Sequence, residues 1–143
     1  MIQRMQGAEM NNSDMNGLAN GEPGEVVWAN CWNSLENPRA TGKFRPAVLL
    51  RRDLGHFRLI GLTTNPKFRD GKKRIEIPDP AALGLQRPGF IWSDSVTNIS
   101  ASDIGGHIGW VNQEFVELVL RWVRLSADDV RFLRWFDLAG RAA

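Results

Sequence analysis

Between residues 24 and 77 the apolar positions fall in short runs separated by turn formers, a pattern of strands and not of helices. Val26, Val27 and Trp28 favour a strand, and a turn-rich stretch over residues 33–42 follows them. Phe44-Arg45-Pro46-Ala47-Val48-Leu49-Leu50 is an apolar run with a proline near its start, where the missing N–H costs a strand least. Asp53-Leu54-Gly55 predicts a tight turn, and residues 57–63 return as a third strand. Arg74-Ile75-Glu76-Ile77 alternates with period two, which suits a half-buried strand. Short strands joined by brief turns predict a small, strongly curved antiparallel sheet or open barrel.

After residue 110 the period changes. Asn112 is placed to cap a helix carrying Phe115, Val116, Val119, Trp122 and Val123 on one face. Ser126 and Asp129 have the spacing of a capping box, with Asp in place of Glu or Gln. A second helix with Val130, Leu133 and Phe136 on one face is expected to start there. That stripe must pack on the sheet or on a second subunit, and an enlarged dimer contact is the expectation. The class is a β-rich α+β fold with C-terminal helices. Three segments are expected: a flexible leader over residues 1–23, a main domain over 24–124, and an additional helix over 125–143.

Composition narrows the function classes. Hydrophobic residues make up 43% of the 143 and charged residues 24%, ordinary for one globular domain. No run reaches the roughly 18 uncharged apolar residues of a membrane span. The single cysteine, Cys31, excludes an internal disulfide and a thiolate-rich zinc site, so a cytoplasmic protein is expected. Net charge is only +2, but it is unevenly spread. Residues 39–74 hold 11 bases and two acids, and the rest holds seven bases and 14 acids. A local cationic stretch of this kind attracts a polyanion whatever the total charge.

The order of motifs resembles the PemK/MazF-type toxins. Gly24-Glu25-Val26-Val27-Trp28, a loop, and then Gly42-Lys43-Phe44-Arg45-Pro46 leading into an aliphatic strand match that family's opening. Leu62-Thr63-Thr64 sits where its third strand ends in a hydroxyl residue, and Ile108-Gly109 before a helix is similar to its late Ile/Leu-Gly. The resemblance covers roughly residues 24–124. It implies an SH3-like, strongly bent antiparallel β-barrel. It also implies a homodimeric, cofactor-free and metal-independent endoribonuclease that cuts single-stranded mRNA at short sequences. Such a toxin is neutralised by a cognate antitoxin whose acidic flexible tail lies over the cleavage groove.

Cutting RNA without a metal requires the 2′-OH to attack the adjacent phosphate, with stabilisation of added negative charge and two proton transfers. Arg45, the arginine of the Arg-Pro pair, suits the first task, because guanidinium stays charged and pairs two phosphate oxygens. By the family pattern Thr63 donates a hydrogen bond to the scissile phosphate, and Thr64 is its one-residue alternative. Some relatives carry Arg-x-Asp before the Ile/Leu-Gly segment; here the stretch is Trp92-Ser93-Asp94. Asp94 is thus the candidate general base, and read alone it is equally a turn residue. Trp92 replaces the family's arginine and offers either a stacking surface for a base or core packing.

The remaining cations divide into Arg39 and Lys43, flanking the first long loop, and Lys67, Arg69, Lys72, Lys73 and Arg74 around Asp70-Gly71. RNA-backbone contact is their expected role, and an acidic antitoxin tail suits them equally. His56 and His107 are read as turn and loop residues. No His/Cys/Asp/Glu spacing matches a metal site. Two other functions stay open: a toxin of the same architecture that poisons DNA gyrase, and a non-catalytic SH3-like module binding RNA or protein.

Overall fold

The computed structural model describes residues 18–30, 44–64, 66 and 73–138. Among the described residues seven strands form: β1 (Glu25–Ala29), β2 (Arg45–Asp53), β3 (His56–Gly61), β4 (Ile75–Glu76), β5 (Phe90–Ile91), β6 (Val96–Ser100) and β7 (Ile104–Trp110). Two helices follow, α1 (Gln113–Trp122) and α2 (Ala127–Leu138). Five strands build one antiparallel sheet in the order β6-β3-β2-β1-β7, and β4 and β5 pair as a separate ribbon. The five-stranded sheet is open, with β6 and β7 at its edges, where the resemblance implied a barrel.

The central strands read as continuous apolar runs because both faces of the sheet are covered. Val26, Val48, Leu50 and Ile60 point into one core, together with Leu83, Ile91 and the α1 residues Phe115, Val116 and Val119. Their neighbours Val27, Ala47, Leu49 and Leu59 point the other way, into a second core with Phe57 and Ile99. Successive side chains on a strand face opposite sides, so Ala47-Val48-Leu49-Leu50 feeds both cores in turn.

Leu54-Gly55 joins β2 to β3 as the expected two-residue turn. Both residues have positive φ, 41° and 84°, with Asp53 and His56 paired across it. That backbone matches the twist of the flanking strands but is unfavourable for leucine, which is fully exposed there.

Both helix starts form as their sequences predict. Asn112 Oδ1 accepts from the Phe115 backbone N–H at 2.9 Å. Ser126 and Asp129 complete a reciprocal box: the Ser126 N–H donates to Asp129 Oδ2 at 3.0 Å, and the Asp129 N–H donates to Ser126 Oγ at 3.1 Å. Asp129 does more than cap, because Arg58 Nε donates to its Oδ1 at 2.6 Å and Arg51 Nε lies 3.4 Å away. This fully buried carboxylate ties α2 to β2 and β3. Leu133 is buried in the first core, so part of the α2 stripe packs within its own chain. The side chain of Phe136 lies outside the described residues.

Two expectations change. Gly105-Gly106-His107 belongs to β7 and not to a loop. Its pairing with β1 shifts register twice, and strand geometry here is imposed by the neighbour against the weak β-propensity of glycine. Trp122 ends α1 about 40% exposed, with Lys73 Nζ 4.8 Å from its ring centre, while Val123 beyond it is buried. Of the expected leader, residues 1–17 lie outside the described residues; Leu18 bridges Gly106 of β7.

Candidate RNA-binding cleft

A cleft of about 660 Å³ opens where the end of β1, the start of β2 and the middle of β7 meet the segment after β3 and the loop over residues 84–89. Arg45 enters it from the first position of β2, and Thr63 and Thr64 from the chain just past β3. The Thr63 backbone is fixed by two bonds with Phe90: the Thr63 N–H donates at 3.1 Å and the Phe90 N–H donates back at 2.8 Å. Thr63 is half-buried and Thr64 exposed, and both line the cleft. Pro46 sits opposite Trp28 in the β1–β2 register and holds Arg45 in extended backbone. Trp28 and Phe44 add aromatic surface.

The far wall is the 84–89 loop, which brings Arg87. Its seat against β7 explains the glycine of Ile108-Gly109. A Cβ on Gly109 would lie 2.3 Å from the Leu83 carbonyl oxygen, and one on Gly84 would lie 2.6 Å from that of Ile108. Gly84 also has φ of +87°. Two backbones thus touch where any side chain would separate them, and the cleft keeps its width. Among the described residues the lining holds Arg45, Arg87 and His107, and no acid.

His107 comes from β7 and does not act alone. Its Nδ1 lies 2.7 Å from Glu25 Oε2, and Glu25 is fully buried. Glu25 also accepts from the backbone N–H groups of Asn20, at 2.9 and 3.0 Å, and Gly21, at 2.8 Å. Those bonds satisfy a carboxylate that would otherwise be costly to bury.

Of the residues singled out from sequence, the fold brings Arg45, Thr63 and Thr64 into one cleft. Asp94 lies elsewhere, in the turn between β5 and β6, 3.5 Å from Arg124 Nη1, and that turn is docked on the end of α1 by the Arg124 N–H to Ser93 carbonyl bond. Trp92 is buried outside the cleft, with the Arg74 guanidinium 4.6 Å from its ring centre. Lys73 packs on Trp122. Arg39, Lys43, Lys67, Arg69 and Lys72 lie outside the described residues, as does Cys31. Sequence reasoning missed Arg87 and His107 as cleft residues. Arg87-Pro88 repeats the Arg-Pro pair of the β2 start, a usable signal. The Glu25–His107 contact spans 82 positions and had no local signal.

The structure is thus an open antiparallel sheet backed by two helices, with a cationic cleft beside the start of β2. The model for the PemK-like, MazF-like toxins of type II toxin–antitoxin systems matches residues 22–127. The chain belongs to that family. No curated protein matches it in sequence. Among solved structures it is similar to the Mycobacterium tuberculosis toxin MazF-mt6, at 19% identity over 77% of this chain and 88% of that one, with a TM-score of 0.42. It is also similar to a Deinococcus radiodurans MazE-MazF structure, at 19% identity over 83% of this chain and 94% of that one, with a TM-score of 0.42. Among the described residues no helix is long and apolar enough to cross a membrane.

Proposed function

We propose that the protein is an endoribonuclease toxin that cuts single-stranded mRNA by attack of the 2′-OH on the adjacent phosphate, without a metal. A cognate antitoxin neutralises it by laying an acidic segment in the same cleft. The observation that carries this reading is the convergence of Arg45 and Thr63 in a cleft with no acid among its described lining residues, in a member of a toxin family.

Each cleft group has a task. The Arg45 guanidinium pairs two oxygens of the scissile phosphate and stabilises the extra charge of the pentacoordinate transition state. The Thr63 hydroxyl donates to a non-bridging oxygen, with Thr64 the alternative donor. Arg87, across the cleft, holds the backbone of the neighbouring nucleotide. Trp28 and Phe44 stack on bases, each such contact being worth ~1–3 kcal/mol. The products are a 2′,3′-cyclic phosphate and a 5′-OH. Dimerisation belongs to the same reading.

Expression of the wild type is expected to stop growth, and Arg45→Ala to abolish that effect while leaving the circular dichroism spectrum unchanged. Growth arrest undiminished in the folded mutant contradicts the role given to Arg45. Trapped gyrase–DNA complexes with intact RNA would assign the arrest to another target.

A further inference from the structure

We infer that Gln86 is the residue with which the cleft selects a base, and that the base it takes is adenine. This rests on the ribonuclease reading above and goes beyond it. Arg45, Thr63 and Arg87 hold phosphate oxygens there, and such contacts position a strand without reading its sequence.

The loop over residues 84–89 is anchored at both ends. At its entry the Gly84 N–H donates to the Ala81 carbonyl at 3.0 Å, and the Leu85 N–H donates to the Pro80 carbonyl at 3.0 Å. Leu85 packs against the first core. At its exit the Ile77 N–H donates to the Gly89 carbonyl at 2.8 Å, and the next residue, Phe90, is bonded to Thr63. Gly89 is buried, and a Cβ there would lie 3.0 Å from Ile77 Cδ1. Between these anchors Gln86, Arg87 and Pro88 are exposed and line the cleft. Among the described residues the Gln86 carboxamide has no hydrogen-bond partner, so its donor and its acceptor are both available to a ligand. With the loop ends fixed, binding has mainly side-chain torsions to order, which keeps the entropic cost of a base contact low.

The chemistry of the lining singles this residue out. A carboxamide presents an acceptor oxygen and a donor NH₂ side by side in one plane. Among the described lining residues no other side chain offers that pair: the arginines only donate, each threonine has one hydroxyl, and His107 is held by Glu25. Adenine matches it on two edges, because N6–H lies beside N1 on one and beside N7 on the other. Guanine offers two acceptors, O6 and N7, on its second edge, and a pyrimidine has a single edge of this kind. The aromatic surface of Trp28 and Phe44 in the same cleft suits the larger face of a purine. Arg87, the following residue, holds the backbone of the nucleotide whose base Gln86 takes.

The test uses the purified full chain, a single-stranded RNA pool with a randomised central segment, and sequencing of the cut ends. Wild-type cuts should carry adenine at one fixed position near the break, enriched by about tenfold, the discrimination of one good bidentate pair. Gln86→Ala should bring that position to within about twofold of the other bases while preferences at other positions persist. Gln86→Glu should move the preference there to guanine, whose N1–H and N2–H donate to the two carboxylate oxygens. A purely structural role would lower cutting evenly and keep the base ranking, and that result overturns the inference. So does adenine enrichment that survives in Gln86→Ala, or wild-type cutting with no adenine preference at any position; each removes this inference alone. A wild type that leaves the pool intact removes the ribonuclease reading, and this inference with it.

Discussion

Replacing Asp129 with asparagine takes one negative charge out of the junction between α2 and the sheet while keeping the side chain's size. Burial by itself raises the Asp129 carboxyl. The Arg58 hydrogen bond, the Ser126 bonds and the charge of Arg58 outweigh it and bring the group from 3.8 down to about 2. At about 1.4 kcal/mol per pH unit, that difference corresponds to roughly 2 kcal/mol of folding stability. A carboxyl held low in the folded state stabilises fully above its unfolded value and loses that contribution as pH falls toward its folded value. The gain is therefore complete at pH 7, about half gone at pH 3 and absent below about 2. Asp129→Asn also takes the carboxylate from the Arg58 guanidinium, while Arg51 keeps Asp53 at 2.7 Å, and the loss at Arg58 adds to the effect at neutral pH. Urea unfolding of wild type and mutant at pH 7 and pH 3 measures both effects. The mutant should be at least about 2 kcal/mol less stable at pH 7, with the gap narrowing by about 1 kcal/mol at pH 3. A gap under about 0.5 kcal/mol at pH 7 refutes the reasoning, because that is the range of ordinary surface substitutions. A gap that does not change with pH refutes the assignment of the effect to charge.

Other substitutions probe separate links. Gly109→Ala forces a Cβ to within 2.3 Å of the Leu83 carbonyl oxygen and should cost about 1–3 kcal/mol in urea unfolding. Because the same contact seats the 84–89 loop, the mutant should also bind RNA more weakly. Leu54→Asn relieves a left-handed, fully exposed leucine and should stabilise the fold by roughly 0.5–1 kcal/mol, read as a raised melting temperature. Asn112→Ala deletes the 2.9 Å cap of α1 and should cost about 1 kcal/mol in the same assay.

What could be read from the sequence was whatever is decided locally. The apolar runs at 26–28, 44–50 and 57–63, the turn at Leu54-Gly55 and both helix caps rest on propensity, period and capping chemistry, and each forms close to where it was expected. β7 was illegible because three glycines at 105, 106 and 109 hide it, and only pairing with β1 and contact with Leu83 make it a strand. The site divides in the same way. Arg45 and Thr63 carry motif context, and the register of β1, β2 and β3 brings them to one end of the sheet. Asp94 has only motif position to mark it, and the 92–95 turn docks on the end of α1. Arg87 and His107 reach the cleft only through the loop against β7 and the β1–β7 pairing. Asp129, read as a cap, also carries the long-range tie to Arg58, which no spacing reveals.

The central claim is that Arg45 stabilises phosphodiester cleavage by the neighbouring 2′-OH. Its most direct test is end-group mapping of one transcript incubated in EDTA with wild type and with Arg45→Ala. Wild type should give short-sequence-specific cuts bearing 2′,3′-cyclic phosphate and 5′-OH ends, and Arg45→Ala should give none. Equal cutting by the folded mutant, or 5′-phosphate ends from the wild type, would contradict the account.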